Sequence, residues 1–180
     1  MNKKVTSIVT VLMVATGLAA CGRANAGTPP GTGGGSHEET RTGATVTNDK
    51  ELFRQNFAST GHWIGATTEN LTFEDDFIVE GDFWDKNDEA NDYKRKLALY
   101  TQDDQYNVKD RFSLTAPRVI VRSPNTVVSK GTIAGDVYVE SNGFNLDDAI
   151  IDGNVIFSSQ EYKDSANLDS GQVKGQVTVE

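Results

Sequence analysis

Three pairs of neighbouring aspartates are the residues most suited to chemistry in this sequence. They are Asp75-Asp76, Asp103-Asp104 and Asp147-Asp148. Two nearby carboxylates can act as the acid and base of glycoside hydrolysis, and carboxylate oxygens also bind Ca²⁺. The candidate calcium ligands are Asp147, Asp148 and Asp169, because Asp147 and Asp169 take the same position in two copies of a repeat. Solvated acids in turns are the simpler interpretation of all three pairs.

Nucleophilic and histidine chemistry finds little support. His62 is the only histidine after residue 48, and Cys21 is the only cysteine in the chain. The sequence lacks the residues or spacings of three common sites. These are a Ser-His-Asp triad, a pair of zinc-binding histidines and a glycine-rich phosphate loop. We therefore predict a non-enzymatic protein without a cofactor. The alternative is a surface hydrolase or lyase that acts on polysaccharide through paired carboxylates.

Ring-bearing side chains form the other candidate site. Flat rings with a polar edge suit both sugars and protein partners. The predicted binding surface comprises His62, Trp63, Trp84, Tyr100 and Tyr138, with Tyr93 and Tyr106 as further exposed aromatics. Its predicted partner is a cell-wall polymer or a surface protein. The alternative is that these rings only pack against the fold.

The charge balance argues against nucleic acid as a partner. The chain has 17 basic and 26 acidic residues, a net charge of −9. Loss of Lys3 and Lys4 with a cleaved leader would leave 17 − 2 = 15 basic residues and a net charge of −11. Such a surface repels phosphate backbones and anionic lipid headgroups.

The first 20 residues have the pattern of an export signal. A short basic start precedes an apolar run, Val5 to Ala20, that is too short to span a bilayer comfortably. The run ends in Leu18-Ala19-Ala20-Cys21, which resembles the lipobox of bacterial lipoproteins. The resemblance implies cleavage before Cys21 and acylation of its sulfur, which would anchor the protein to the extracytoplasmic face of the cell membrane through lipid. It does not distinguish a Gram-positive from a Gram-negative host.

The domain plan follows from composition. Residues 1–20 are the predicted lipoprotein signal peptide, and residues 21–48 contain the lipidated cysteine and a tether rich in Gly, Thr and Pro. Such a tether buries too little apolar surface to fold and would reach on the order of 30 Å. Residues 49–180 are the predicted folded domain. It begins with a short helix that has Asn48 as its cap and Leu52, Phe53 and Phe57 on one face.

One sequence pattern occurs three times in the last fifty residues. The copies are 132–139, 150–157 and 172–179, and their glycines, Gly135, Gly153 and Gly175, are 18 and 22 residues apart. A repeat of this period is typical of a solenoid, in which each coil buries its apolar edge by stacking on the next. The shared glycine position predicts a bend or a left-handed backbone conformation. Residues 79–83 are a predicted fourth, degenerate copy with Gly81 at the glycine position.

Alternation within each copy predicts which residues stack. Ile133, Ile151 and Val173 should form one buried column, and Val137, Val155 and Val177 another. Asn145 should stack on Asn167, and Asp147 on Asp169.

The segments Ile133-Ala134-Gly135-Asp136-Val137 and Ile151-Asp152-Gly153-Asn154-Val155 resemble the repeats of bactofilins, bacterial polymer-forming β-helix proteins. The resemblance covers residues 126–179 and implies a right-handed β-helix. The predicted fold class is thus all-β, a right-handed β-helix (β-solenoid) with a short N-terminal capping helix. A β-sandwich is the alternative, because short alternating strands serve either fold.

Overall fold

The computed structural model describes residues 45–180. The predicted signal peptide, Cys21 and most of the predicted tether lie outside the described residues. The helices are α1 (Lys50–Asn56) and α2 (Gln160–Ser165). In chain order the strands are β1 (Thr45–Val46), β2 (Ile64–Ala66), β3 (Leu71–Thr72), β4 (Phe77–Val79), β5 (Arg95–Ala98), β6 (Tyr100–Gln102), β7 (Val108–Arg111), β8 (Ser113–Val121), β9 (Thr126–Ser129), β10 (Thr132–Val139), β11 (Asn145–Ile151), β12 (Val155–Phe157), β13 (Asn167–Val173) and β14 (Val177–Val179).

The protein is mostly β, as predicted, and its main sheet is a curled parallel sheet. Twelve strands belong to this sheet, whereas β6 and β7 form a separate antiparallel hairpin. Every pair in the main sheet is parallel. A β-sandwich is built from antiparallel sheets, so that alternative is wrong.

The parallel pairs fall into three columns of strands. The first column runs through β1, β2, β5, β9, β11 and β13. The second joins β3, β8, β10, the end of β11 and the end of β13. The third joins β4, β8, β10, β12 and β14. The chain runs through the first, second and third columns in turn and then repeats this order, and we call each such round a passage. Each passage stacks on the previous one. The ladder begins at Thr45, before the predicted start of the domain.

The predicted aliphatic columns are confirmed. Ile133 pairs with Ile151, which pairs with Val173, and Val137, Val155 and Val177 are paired in the same way. The members from the inner passages are fully buried, whereas Val173 and Val177 in the last passage are only half-buried. Burial of such side chains contributes about 1.5–3 kcal/mol each, so these columns are the main source of stability.

The fourth copy of the repeat has a different register from the predicted one. Phe77 pairs with Val119, and Val119 with Val137, so Phe77 takes the position that the sequence assigns to the residues after the glycine. Gly81 falls beyond the end of β4. Five residues lie between Leu71 and Phe77, whereas three lie between the equivalent Ile133 and Val137, so the first passage is longer here than the later copies.

The repeated glycines are required mainly by close approach. Of the three, Gly135 has a positive φ of 153°, whereas Gly153 and Gly175 do not. A Cβ atom on Gly153 would meet the carbonyl oxygen of Gly135, and one on Gly175 would meet the carbonyl oxygen of Gly153. The predicted left-handed conformation is therefore found only at Gly135 of the three, whereas the predicted bend is found at Gly153 and Gly175. The glycines form a column in which backbone packs on backbone.

Helix α1 covers one end of the third column. Its cap is Asp49, not Asn48, because the Asp49 carboxylate accepts hydrogen bonds from the amides of Glu51 (2.9 Å) and Leu52 (3.1 Å). Phe53 and Phe57 are fully buried, with ring centres 5.8 and 5.6 Å from that of Phe77. Leu52 was predicted to share their face, but it is 51% exposed. The rings thus close the core above the first passage.

Candidate functional site

A shallow groove of about 450 Å³ lies beside the first column. Its wall comes from the long loop 80–94, between β4 and β5, and its floor from β9, β11 and the turns before them. The lining residues are Asp85, Asn91, Asp92, Tyr93, Lys94, Asn125, Val127, Gly143 and Asn145. Most of these side chains are polar, and both hydrogen-bond donors and acceptors are present. A smaller depression of about 260 Å³ lies beside α1 and holds a single ring, Phe73.

The wall of the groove carries a pair of aromatic rings. Trp84 and Tyr93 form an isolated antiparallel bridge, and their ring centres are 5.4 Å apart with an angle of 32° between the planes. The amide of Lys94 donates to the carbonyl of Phe83 (2.7 Å), and the ammonium of Lys94 lies 3.5 Å from the Asp85 carboxylate. Tyr93 is 42% exposed. The loop therefore presents a supported, accessible ring at the groove.

Asn125 ties this wall to the floor. Its side-chain amide donates to the carbonyl of Tyr93 at 2.9 Å, and its own backbone has a positive φ of 52°. Gly143, in the turn before β11, is stacked on Asn125, which lies in the turn before β9. Its φ is 77°, and a Cβ atom on it would meet the Asn125 side chain. Asparagine and glycine are the residues that adopt this conformation at low cost. The two turns thus stack and fix the position of Tyr93.

The floor consists of outward-facing residues of the first column. Lys96 pairs with Val127, and Val127 with Asn145, in adjacent parallel strands. Asn145 in turn pairs with Asn167, as predicted. The intervening Leu97 is fully buried, so alternation directs the floor residues outward. The floor is accordingly a row of side chains spaced by about 4.8 Å.

The other end of β5 carries Tyr100 at the base of the β6–β7 hairpin. The ammonium of Lys96 lies 3.4 Å from the Tyr100 hydroxyl, and the ammonium of Lys130 lies 5.8 Å from the centre of its ring. Arg111, at the other side of the hairpin base, donates to the carbonyls of Lys130 and Asp148 at 2.9 Å each. Two insertions therefore flank the floor: the loop 80–94 on one side and the hairpin on the other.

The structure does not bring all the predicted ring residues together. Trp84 packs on Tyr93, which lines the groove, and Tyr100 lies in the β6–β7 hairpin, where its hydroxyl is 3.4 Å from the Lys96 ammonium. Tyr138 belongs to the third column, where its ring centre lies 5.6 Å from the Arg118 guanidinium carbon. The ring of His62 is exposed, and the carbonyls of His62 and Trp63 accept hydrogen bonds from Arg95 and Lys96. The predicted residues therefore do not form one continuous surface.

Five of the six paired aspartate carboxylates are engaged by protein partners, and Asp75 is one of them, 3.5 Å from the Arg54 guanidinium. Asp76 bonds to Arg118, Asp148 to Arg111, and Asp103 accepts the amides of Gln105 and Asn107 in the hairpin turn. Asp147 accepts from Lys130 at 3.0 Å and from Ser129 at 3.1 Å. These contacts leave little room for a reacting pair.

Two of these carboxyls have a shifted pKa. Hydrogen bonds from Asn107 lower the pKa of Asp103. Burial alone would raise the pKa of Asp147, but the hydrogen bonds from Lys130 and Ser129 and the charges of Lys130 and Lys96 outweigh it and lower the pKa. A general acid for glycoside hydrolysis needs a raised pKa, so neither residue is suited to that role.

The calcium candidates are not assembled into one site. Asp147 pairs with Ser170, not with Asp169, because the register shifts between β11 and β13. The cations of Lys130 and Arg111 already neutralise Asp147 and Asp148. Within residues 45–180, no group of three or more His, Cys, Asp or Glu side chains is placed to hold a metal ion.

Sequence reasoning missed three residues of the site. Lys96 and Val127 lie at outward positions of short strands, and period-two alternation around Leu97 and Val128 could have identified both. Asn125 follows Pro124 in a turn and was interpreted only as a corner. Its tie to Tyr93 joins residues 32 apart and has no local signal.

No family model, curated protein or solved structure matches this chain. Among residues 45–180, no helix is both long and apolar enough to cross a membrane.

Proposed function

We propose that this protein is a lipid-anchored bacterial surface protein that binds a cell-wall glycan without cleaving it. The observation that carries the proposal is the Trp84–Tyr93 pair beside an amide-lined floor. An aromatic ring can stack on the apolar face of a sugar, while amides and carboxylates pair with its hydroxyls. The open groove suits a segment of a chain better than an enclosed small molecule. The engaged carboxylates favour binding over hydrolysis.

The scaffold of this module is a right-handed β-helix capped by α1. Support comes from the three columns of parallel strands and from the repeated order in which the chain visits them. Repetition of one passage extends the first column, and the groove floor is part of that column. A linear polymer could therefore lie across several passages.

The anchor is Cys21, and support for it comes from the Leu18-Ala19-Ala20-Cys21 segment and the composition of the tether. Stable attachment to a membrane takes more than one acyl chain. Labelled fatty acid should enter the wild-type protein, and Cys21→Ser should abolish the label. Unlabelled wild-type protein recovered from the medium would contradict the anchor.

The glycan proposal is tested with the full chain held in detergent micelles, which accommodate the apolar run Val5 to Ala20 and any lipid on Cys21. Isothermal titration with a neutral N-acetylglucosamine hexamer should show saturable binding that Tyr93→Ala weakens at least tenfold. Tyr106→Ala is the matched control, because Tyr106 is 79% exposed in the hairpin turn, away from the groove. Circular dichroism confirms that both variants fold. Absence of binding, or equal loss in both variants, would overturn the proposal.

A further inference from the structure

The groove floor extends along the first column from Val127 to Lys96, and Tyr100 of the β6–β7 hairpin lies next to Lys96. Lys96 and Val127 are register partners in adjacent strands, so a chain lying on the floor next meets the Lys96 ammonium. The hydroxyl of Tyr100 lies 3.4 Å from this ammonium. The distance along the chain from Tyr93 to Tyr100 is roughly 20 Å in extended conformation. The two tyrosines thus mark opposite ends of one outward surface.

Three cations lie around Tyr100, and one of them, Lys96, acts on Asp147 through its charge without a direct ion pair. Lys130 forms an ion pair with Asp147 at 3.0 Å, and Arg111 forms one with Asp148 at 2.5 Å. Among residues 45–180, no carboxylate forms an ion pair with Lys96. Lys96 is half-buried, and its ammonium lies 5.6 Å from the centre of the Tyr100 ring. The chain has a net charge of −9, but here the Lys96 ammonium lies beside the Tyr100 hydroxyl, which can also donate a hydrogen bond.

We infer that Lys96 and Tyr100 form an anion subsite that binds a single carboxylate on one sugar of the glycan. This inference rests on the proposed glycan binding. One ammonium matches the charge of one carboxylate, whereas a phosphate monoester carries about −1.5 to −2 at neutral pH. Lys96 supplies the charge and Tyr100 a second donor, and charge-assisted hydrogen bonds of this kind are about twice as strong as neutral ones. The acidic surroundings disfavour a dense polyanion.

Three soluble ligands of equal length test the subsite by isothermal titration: a neutral N-acetylglucosamine hexamer, an otherwise identical hexamer with a carboxylate on a single sugar, and a hexamer of uronic acid. The singly substituted hexamer should bind about tenfold more tightly than the neutral one. The uronic acid hexamer should bind no more tightly than the neutral one. Equal affinity for the neutral and the substituted hexamer would overturn the subsite and leave the proposed function intact. Absence of binding by all three would overturn both.

Lys96→Gln should remove the preference for the substituted hexamer, so that the ratio of the two affinities falls to about one, whatever the change in affinity for the neutral hexamer. Tyr100→Phe should remove part of the preference, because only the hydroxyl is lost. Lys109→Gln makes the same change of charge on the outer strand of the hairpin, where Lys109 is exposed, and should keep the full preference. A preference that survives in Lys96→Gln, or that is lost equally in Lys109→Gln, would overturn the inference.

Discussion

The guanidinium carbon of Arg95 lies 4.0 Å from the centre of the Phe83 ring. Arg95 is fully buried, and its hydrogen bonds go to backbone carbonyls: His62 at 2.5 Å, Asn56 at 2.8 Å and Ala58 at 3.1 Å. Burial lowers the pKa of Arg95 to about 10, while the charge of Glu80 acts in the opposite direction. The side chain joins the end of α1 to the start of the groove wall.

Replacement of Arg95 should therefore lower the stability of the folded protein. Arg95→Leu removes the guanidinium from three carbonyls, of which those of Asn56 and Ala58 keep the amides of His62 and Gly61 as donors. Because a buried cation-filled site is lost as well, we expect the free energy of unfolding to fall by about 3 kcal/mol. Urea denaturation followed by tryptophan fluorescence measures the change. Arg122→Leu removes an exposed arginine that is paired with Glu140 at 2.9 Å, and should cost less than about 1 kcal/mol. Similar losses in the two variants would contradict a structural role for Arg95.

The column of glycines makes a steric prediction. In Gly153→Ala the new Cβ meets the carbonyl oxygen of Gly135, a backbone atom that cannot move aside without disturbing the ladder. We expect destabilisation of about 2–4 kcal/mol in thermal or urea unfolding. The neighbouring Asp152 is half-exposed and is paired only with Lys174, so Asp152→Ala should change stability by less than about 1 kcal/mol. A stable Gly153→Ala protein would show that the passages are less closely stacked.

The tie between Asn125 and Tyr93 can be separated from the backbone conformation of Asn125. Asn125→Gly keeps the positive φ and loses the hydrogen bond, whereas Asn125→Ala loses both. We expect Asn125→Ala to be less stable than Asn125→Gly by about 1 kcal/mol. Both variants should show faster amide hydrogen exchange in residues 84–93. Unchanged exchange there would mean that the wall is held by other contacts.

The lowered pKa of Asp147 predicts a dependence of stability on pH. The ionised carboxylate stabilises the folded state above the unfolded pKa near 3.8, and this contribution is lost as pH falls through the lower folded-state pKa. Asp147→Asn should be less stable than wild type at pH 7, by no more than about 1 kcal/mol because the side chain is partly exposed. The difference should shrink below about pH 3. Urea midpoints at pH 7, 4.5 and 3 measure it, with the exposed Asp169→Asn as control.

The buried columns were predictable and the groove was not, for a physical reason. Strand alternation and a fixed glycine position determine that Ile133 stacks on Ile151, so a short repeat carries the register. Trp84 and Tyr93 meet because an irregular polar loop closes on itself, and no periodicity marks that closure. Arg95 occupies an inward position that its charge alone would place in solvent. Its partners are backbone carbonyls, which leave no trace in the sequence.

The two long insertions, the loop 80–94 and the β6–β7 hairpin, leave the parallel register of the strands around them intact. A doubling of loop length costs only about 0.6 kcal/mol in closure entropy. The proposed binding surface and the stacked core are thus encoded in largely separate segments, which meet where Phe83 contacts Arg95. Away from such contacts, either insertion can change in length while the stacked passages fold in the same way. Under the proposed function, a change in one loop would alter the ligand and leave the core as it is.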